Sequence, residues 1–117
     1  MRDHRKLRAF ELADEVAILI YKITAEFPKQ ETFGLTAQMR KAAVSVPSNI
    51  VEGCARDSQL DYVRFLSIAY GSLKELNYQF SLSKRLGYVK KHYDQVEELL
   101  VETEKVLNGL IRSLRKN

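Results

Sequence analysis

Tryptophan is absent from this 117-residue chain, histidine occurs twice and cysteine once. The single Cys54 excludes an intramolecular disulfide, and a reducing cytoplasm is the expected compartment. His4, His92 and one thiol cannot supply a zinc site, so no metal and no cofactor is expected. Prolines are two, Pro28 and Pro47, and glycines five, too few for a loop-dominated or disordered chain. No apolar run approaches the roughly 18 residues of a membrane span, and no basic segment followed by an apolar stretch opens the chain. Neither a membrane protein nor one exported by a signal peptide is expected. Strand signals are missing too: there is no period-two alternation and no Asn-Gly or Asp-Gly turn.

Apolar residues at three- and four-residue spacing fill the chain instead. They predict an all-α fold, an up-down-up-down four-helix bundle in one domain, 1–117, with helices over about 8–26, 35–54, 59–86 and 90–114. Phe27-Pro28 ends the first helix, because a residue before proline resists helical geometry. Ser58 with Asp61 three residues on starts the third, and Leu86-Gly87 stops it. The fourth has its seam at Val96, Leu99, Leu100, Thr103, Val106, Leu107, Leu110 and Leu114. Gly71 lies inside the third helix at a cost of about 1 kcal/mol relative to Ala, and close helix approach is its expected use.

The second helix breaks a local rule, for Pro47 stands in its middle. Proline there removes the donor for the Ala43 carbonyl and crowds it, at a cost of about 3 kcal/mol, so a kink is expected. Its plain structural use is to let the helix wrap the core. Asn49 is expected to bond carbonyls freed by Pro47, and Glu52 to pair with Arg56 at i, i+4.

This segment resembles the hallmark of the four-helix-bundle proteins encoded within intervening sequences of bacterial 23S ribosomal RNA genes. The matching residues are Phe27-Pro28-Lys29, Gly34-Leu35, Gln38, Arg40-Lys41-Ala42-Ala43, Ser45-Val46-Pro47, Asn49-Ile50-Val51-Glu52-Gly53 and Arg56. Further matches are Phe65-Leu66, Ile68-Ala69, Gly71-Ser72, Glu75-Leu76 and Leu86-Gly87-Tyr88, so the likeness runs from about Phe10 to Leu114. Departures are Phe10 where Trp is common, Lys41 for a second Arg and Val51 for Ala. The resemblance implies a homopentameric barrel. It also implies kinship with the accessory variability determinant of diversity-generating retroelements, whose partner is a reverse transcriptase.

Two features of the residues themselves bear on partners. The apolar faces of the first and third helices are wider than one core needs, which predicts self-association through Phe10, Ile18, Tyr62 and Phe65. The net charge of +4 is also unevenly placed. In the expected topology one pole collects Arg2, Arg5, Lys6, Arg8, Arg56, Arg64, Arg112, Arg115 and Lys116, and the other Lys22, Lys29, Arg40, Lys41, Lys84, Arg85, Lys90 and Lys91. Carboxylates such as Glu97, Glu98, Glu102 and Glu104 concentrate at the waist. Basic poles favour nucleic acid, RNA or DNA, with Arg2, Arg5, Lys6, Arg8, Arg40, Lys41, Arg56, Arg112, Arg115 and Lys116 as candidate contacts. Helix C-termini also attract cations for dipole reasons alone. Tyr62, Tyr70, Tyr78, Tyr88 and Tyr93 are candidates for stacking on unpaired bases, although Tyr62 and Tyr70 sit where a core or interface is expected.

Catalytic patterns are missing. The acidic stretch lacks a Glu-x-x-His pair, and there is no Gly-rich phosphate loop or nucleophile elbow. The expectation is a non-catalytic homo-oligomer that binds structured RNA; the alternative is a scaffold for another protein such as a reverse transcriptase.

Overall fold

The structure, a computed structural model, describes residues 2–116. A short 3-10 turn, His4–Lys6, precedes α1 (Arg8–Thr24); a second, Lys29–Glu31, precedes α2 (Leu35–Cys54). α3 (Gln59–Arg85) and α4 (Tyr93–Arg115) complete the chain, and no strand occurs among the described residues. Each helix packs on the next and α4 returns to α1, giving an antiparallel bundle of 45 × 24 × 20 Å. The α2–α3 seam is the most extensive.

Ile20, Met39, Ile50, Leu66, Leu73, Leu76, Phe80, Leu100 and Leu107 fill the core. Burial of such side chains contributes about 1.5–3 kcal/mol each before entropy is charged against it. On α4 the buried line runs Val96, Leu100, Thr103, Leu107 and Ile111, with Leu99, Val106, Leu110 and Leu114 half-buried at its edges. Ile111 continues that line and was not anticipated, because Leu110 beside it offered the same spacing.

Helix ends follow side-chain chemistry. Ser58 Oγ accepts the Asp61 N–H at 3.1 Å and caps α3. At the other end Gly87, at φ 78°, lets Tyr88 N–H reach Ser83 O at 2.9 Å and its own N–H reach Lys84 O at 3.0 Å, the paired bonds of a Schellman cap. α4 begins at Tyr93, later than the Lys90 expected, because His92 takes a left-handed conformation at φ 64° and cannot extend the helix.

Pro47 does not interrupt α2, which is continuous from Leu35 to Cys54 with Pro47 buried. Asn49 Nδ2 donates to Ser45 O at 2.8 Å, not to the Ala43 carbonyl that proline leaves without a donor. Glu52 and Arg56 do pair, at 2.6 Å. Gly71 does not serve close approach: it faces outward, and a Cβ there would meet nothing within 4 Å. The intimate contact is at Gly53, where a Cβ would lie 2.9 Å from Phe65 Cβ and 3.3 Å from Tyr62 O. No helix among the described residues is long and apolar enough to cross a membrane.

Candidate nucleic-acid interface

The antiparallel order brings the first residues, the α2–α3 connection and the end of α4 to one pole. Two hydrogen bonds fix this: Arg2 Nη1 donates to Arg56 O at 2.7 Å, and Gln59 Nε2 donates to Leu114 O at 2.9 Å. Arginines here stack on rings. The Arg2 guanidinium lies 4.1 Å from the Tyr62 ring centre, and those of Arg56 and Arg64 each lie 4.6 Å from that of Phe65.

Most of these arginines also hold a carboxylate. Arg5 pairs with Asp3 at 3.0 Å, Arg64 with Asp61 at 3.0 Å, and Arg8 with Glu11 and, at 3.2 Å, with Glu102. The hydrogen bond from Arg5 holds the Asp3 carboxyl below its ordinary range. Arg2, Lys6, Arg112, Arg115 and Lys116 make no ion pair among the described residues, although Arg115 Nη2 donates to Ser67 Oγ at 3.2 Å. Cations without a nearby carboxylate remain available to phosphate.

At the opposite pole Lys84 pairs with Glu97. Lys22, Lys29, Lys41, Arg85, Lys90 and Lys91 make no ion pair among the described residues. Arg40 is committed to structure: Nε donates to Thr24 Oγ1 at 2.9 Å and Nη2 to Tyr21 O at 3.3 Å, with its charge over the Tyr21 ring. It therefore sits at the C-terminus of α1, where a cation complements the helix dipole. Tyr88 Oη donates to Glu31 at 3.0 Å, so Glu31 is engaged as well. Of the waist carboxylates, Glu97 and Glu102 pair with pole cations and Glu104 pairs with Lys74 at 2.9 Å, while Glu98 makes no ion pair among the described residues.

Among the residues expected at an interface between copies, Tyr62 is 3% exposed and lies in the core, Phe10 and Phe65 are half-buried, and Ile18 is 52% exposed. Burial pushes the Tyr62 phenol up to about 12, and the adjacent Cys54 thiol adds to that shift. Burial likewise raises the Cys54 thiol, which disfavours the thiolate that a nucleophile requires. Of the tyrosines, Tyr78 is exposed, and Tyr93 is exposed beneath the Lys84 ammonium, 5.0 Å from its ring centre. No cluster of three or more His, Cys, Asp or Glu side chains among the described residues could hold a metal ion.

Sequence reading missed one polar site. Ser72 and Gln79, seven residues apart on α3, face Gln38, Lys41 and Ser45 of α2 across a cleft of about 330 Å³. The signal was present as two polar residues at helical spacing, but their opposite neighbours follow only from the register of α2 against α3.

Fold and surface thus define an antiparallel four-helix bundle with basic ends. Residues 5–109 match the 23S rRNA-intervening sequence protein family, and the chain belongs to it. The bundle is also similar to the crystal structure of a protein of unknown function from the S23 ribosomal protein family of Bacteroides thetaiotaomicron VPI-5482. The two superpose with a TM-score of 0.77 at 25% identity, over 88% of this chain and 97% of that one. No curated protein matches this chain significantly.

Proposed function

We propose that this protein is a non-catalytic, self-assembling bundle that binds nucleic acid, structured RNA in particular, through its basic poles. The observation that carries the reading is the set of unpaired cations at the two ends: Lys6, Arg112 and Lys116 at one pole and Lys41, Lys90 and Lys91 at the other make no ion pair among the described residues, whereas Glu97, Glu102 and Glu104 at the waist are each held by a cation. Symmetric repetition of a pole, as in the homopentamer that the resemblance implies, would multiply that potential. Membership of a family named for intervening sequences of ribosomal RNA supports RNA as the ligand. Exposed Ile18 and Ile68, on the outer faces of α1 and α3, supply apolar surface for contact between copies.

The second reading is a scaffold that holds another protein, such as a reverse transcriptase. Phe33, 96% exposed, and Leu60, 84% exposed, favour it, since each presents a large apolar side chain at a pole.

Titrating the protein with a labelled RNA hairpin and a DNA duplex of equal length, across salt, separates the two. The RNA reading expects tight binding with a steep log–log salt slope, lost when Lys6, Arg112 and Arg115 are reversed to glutamate. Absence of binding near physiological salt would refute it and leave the scaffold.

A further inference from the structure

Buried polar side chains in this bundle are mostly satisfied on their own helix, as Thr24 Oγ1 is by Ile20 O at 2.7 Å and Thr103 Oγ1 by Leu99 O at 2.6 Å. Two buried side-chain atoms have no hydrogen-bond partner among the described residues, Arg56 Nε and Gln79 Oε1. Arg56 holds Glu52 through Nη2, and its guanidinium carbon lies 4.6 Å from the Phe65 ring centre. An N–H packed against an aromatic ring recovers part of what it loses by leaving water. Gln79 is 6% exposed, with its Oε1 shut inside the fold. Both atoms are closed off from solvent, and neither opens to a ligand. Unpaired groups that a partner can reach lie on the surface instead, and on α4 they form a pattern.

α4 is divided by sign. Its carboxylates, Asp94, Glu97, Glu98, Glu102 and Glu104, all precede its cations, Lys105, Arg112 and Arg115, and Lys116 follows at the C-cap. The helix dipole favours acids in the first turn and cations in the last, but its influence fades within one turn. Glu98, Glu102, Glu104 and Lys105 lie farther in, so the dipole does not account for them. Glu98, Lys105, Arg112 and Lys116 make no ion pair among the described residues, and Glu102 meets Arg8 through Oε1 alone. Two surface hollows lie along the outer face of the helix. One, of about 410 Å³, includes Glu98, Val101, Glu102 and Lys105, and the other, of about 370 Å³, Gly109, Arg112, Ser113 and Lys116. Val101 is 50% exposed, and a Cβ on Gly109 would meet nothing within 4 Å, so no neighbour in the chain accounts for a glycine there.

We propose that the outer face of α4 pairs with the same face of a second copy, antiparallel, about a two-fold axis near its middle. Reversing the helix sets Glu98 opposite Lys116, Val101 opposite Ser113, Glu102 opposite Arg112 and Lys105 opposite Gly109, and each pairing occurs twice. The acidic hollow of one copy then meets the basic hollow of the other, along a face about 27 Å long. A parallel pairing would set carboxylates against carboxylates, which opposes association. Exposed ion pairs add little affinity singly, so here they set register and orientation. The Val101 side chains supply apolar contact, and the space over Gly109 admits the stem of Lys105. This contact deepens the self-assembly reading above by naming a surface, and it needs nothing of the RNA reading.

The test is sedimentation of the full chain at low ionic strength without nucleic acid, because Arg112 and Lys116 are also open to RNA. Pairing is read as a concentration-dependent doubling of the sedimenting mass, whatever contacts α1 makes. Glu98→Lys and Lys116→Glu are each expected to raise the concentration needed for doubling by about tenfold or more, and the double variant to restore it. Neither residue has an ion pair within its own chain, so rescue in the double variant comes from a second copy. For the register, Val101→Cys and Ser113→Cys proteins are mixed and oxidised, with Cys54 buried out of reach. A disulfide is expected between the two variants and not within either alone. Circular dichroism checks that every variant keeps its helix content. Single reversals without effect, a double variant without rescue, or Val101→Cys cross-linked to itself would overturn the α4 contact. Doubling that survives both reversals and yields to Ile18→Asp would overturn it too, and leave self-assembly standing. A chain that stays monomeric at every concentration would overturn both.

Discussion

Gly53 of α2 lies against Phe65 of α3 so closely that a Cβ on Gly53 would come within 2.9 Å of Phe65 Cβ. The neighbouring atoms belong to the root of the Phe65 side chain, to the buried Tyr62 ring at 3.2 Å and to the Tyr62 backbone, and none of them can swing aside freely. Gly53→Ala is therefore expected to destabilise the bundle by about 1–3 kcal/mol through overpacking. Gly71→Ala, with open space around it, is expected to stabilise by up to about 1 kcal/mol. Urea unfolding midpoints decide both; equal effects of the two substitutions would refute the assignment.

Tyr62 gives the protein an alkaline limit. Its phenol is raised from 10.0 to about 12 in the fold, first by burial. The neutral form is the one the fold favours, so its contribution is complete below pH 10 and is lost as pH rises through about 12. Tyrosinate absorbance should show one residue titrating after the others, and Tyr62→Phe should abolish that last step.

His92 bears backbone strain at φ 64°. His92→Gly is expected to raise stability by roughly 1 kcal/mol, since glycine enters the left-handed region without penalty, offset in part by its freedom in the unfolded chain. Thermal melts check this. A loss of stability would mean that the imidazole makes a contact of greater value than the strain.

Pole cations should divide into two kinds. Lys6→Ala and Arg112→Ala are expected to lower the salt slope of RNA binding by about 1 each while leaving the melting temperature unchanged. Arg56→Ala should lower the melting temperature as well, because Arg56 stacks on Phe65 and pairs with Glu52. Paired binding and melting measurements on the three variants test the division.

Self-association should respond to Ile18. Ile18→Asp places a charge on an exposed position of α1, so helix content is expected to persist. Sedimentation should nonetheless show smaller species than the parent. An unchanged sedimentation profile would place the contact between copies elsewhere.

Much of this fold is written in local chemistry. Pro28, the Ser58–Asp61 pair and Gly87 mark helix ends by mechanisms that act within a few residues, and each is visible in the chain. His92 was opaque because any residue type could stand before α4, and its left-handed turn depends on how the α3–α4 connection must close. Gly71 and Gly53 look alike as helical glycines; only the rotational phase of each helix tells which one faces a neighbour. The candidate interface divides similarly. Basic poles follow from topology and composition, but the pairing of Arg8 with Glu102, 94 residues away, depends on tertiary placement. The Gln79 cleft needs the register of two helices and lay outside what spacing could show.

Contact between α1 and α4 closes the bundle, and it joins the earliest helix to the latest. During synthesis α2 and α3 can form the largest seam while the final helix is still inside the ribosome. Over that interval the faces of α1 and α3 that α4 packs against lack their cover, and the growing chain exposes apolar surface. A ribosome halted within α4 would therefore release an aggregation-prone product, although three of its four helices were already complete.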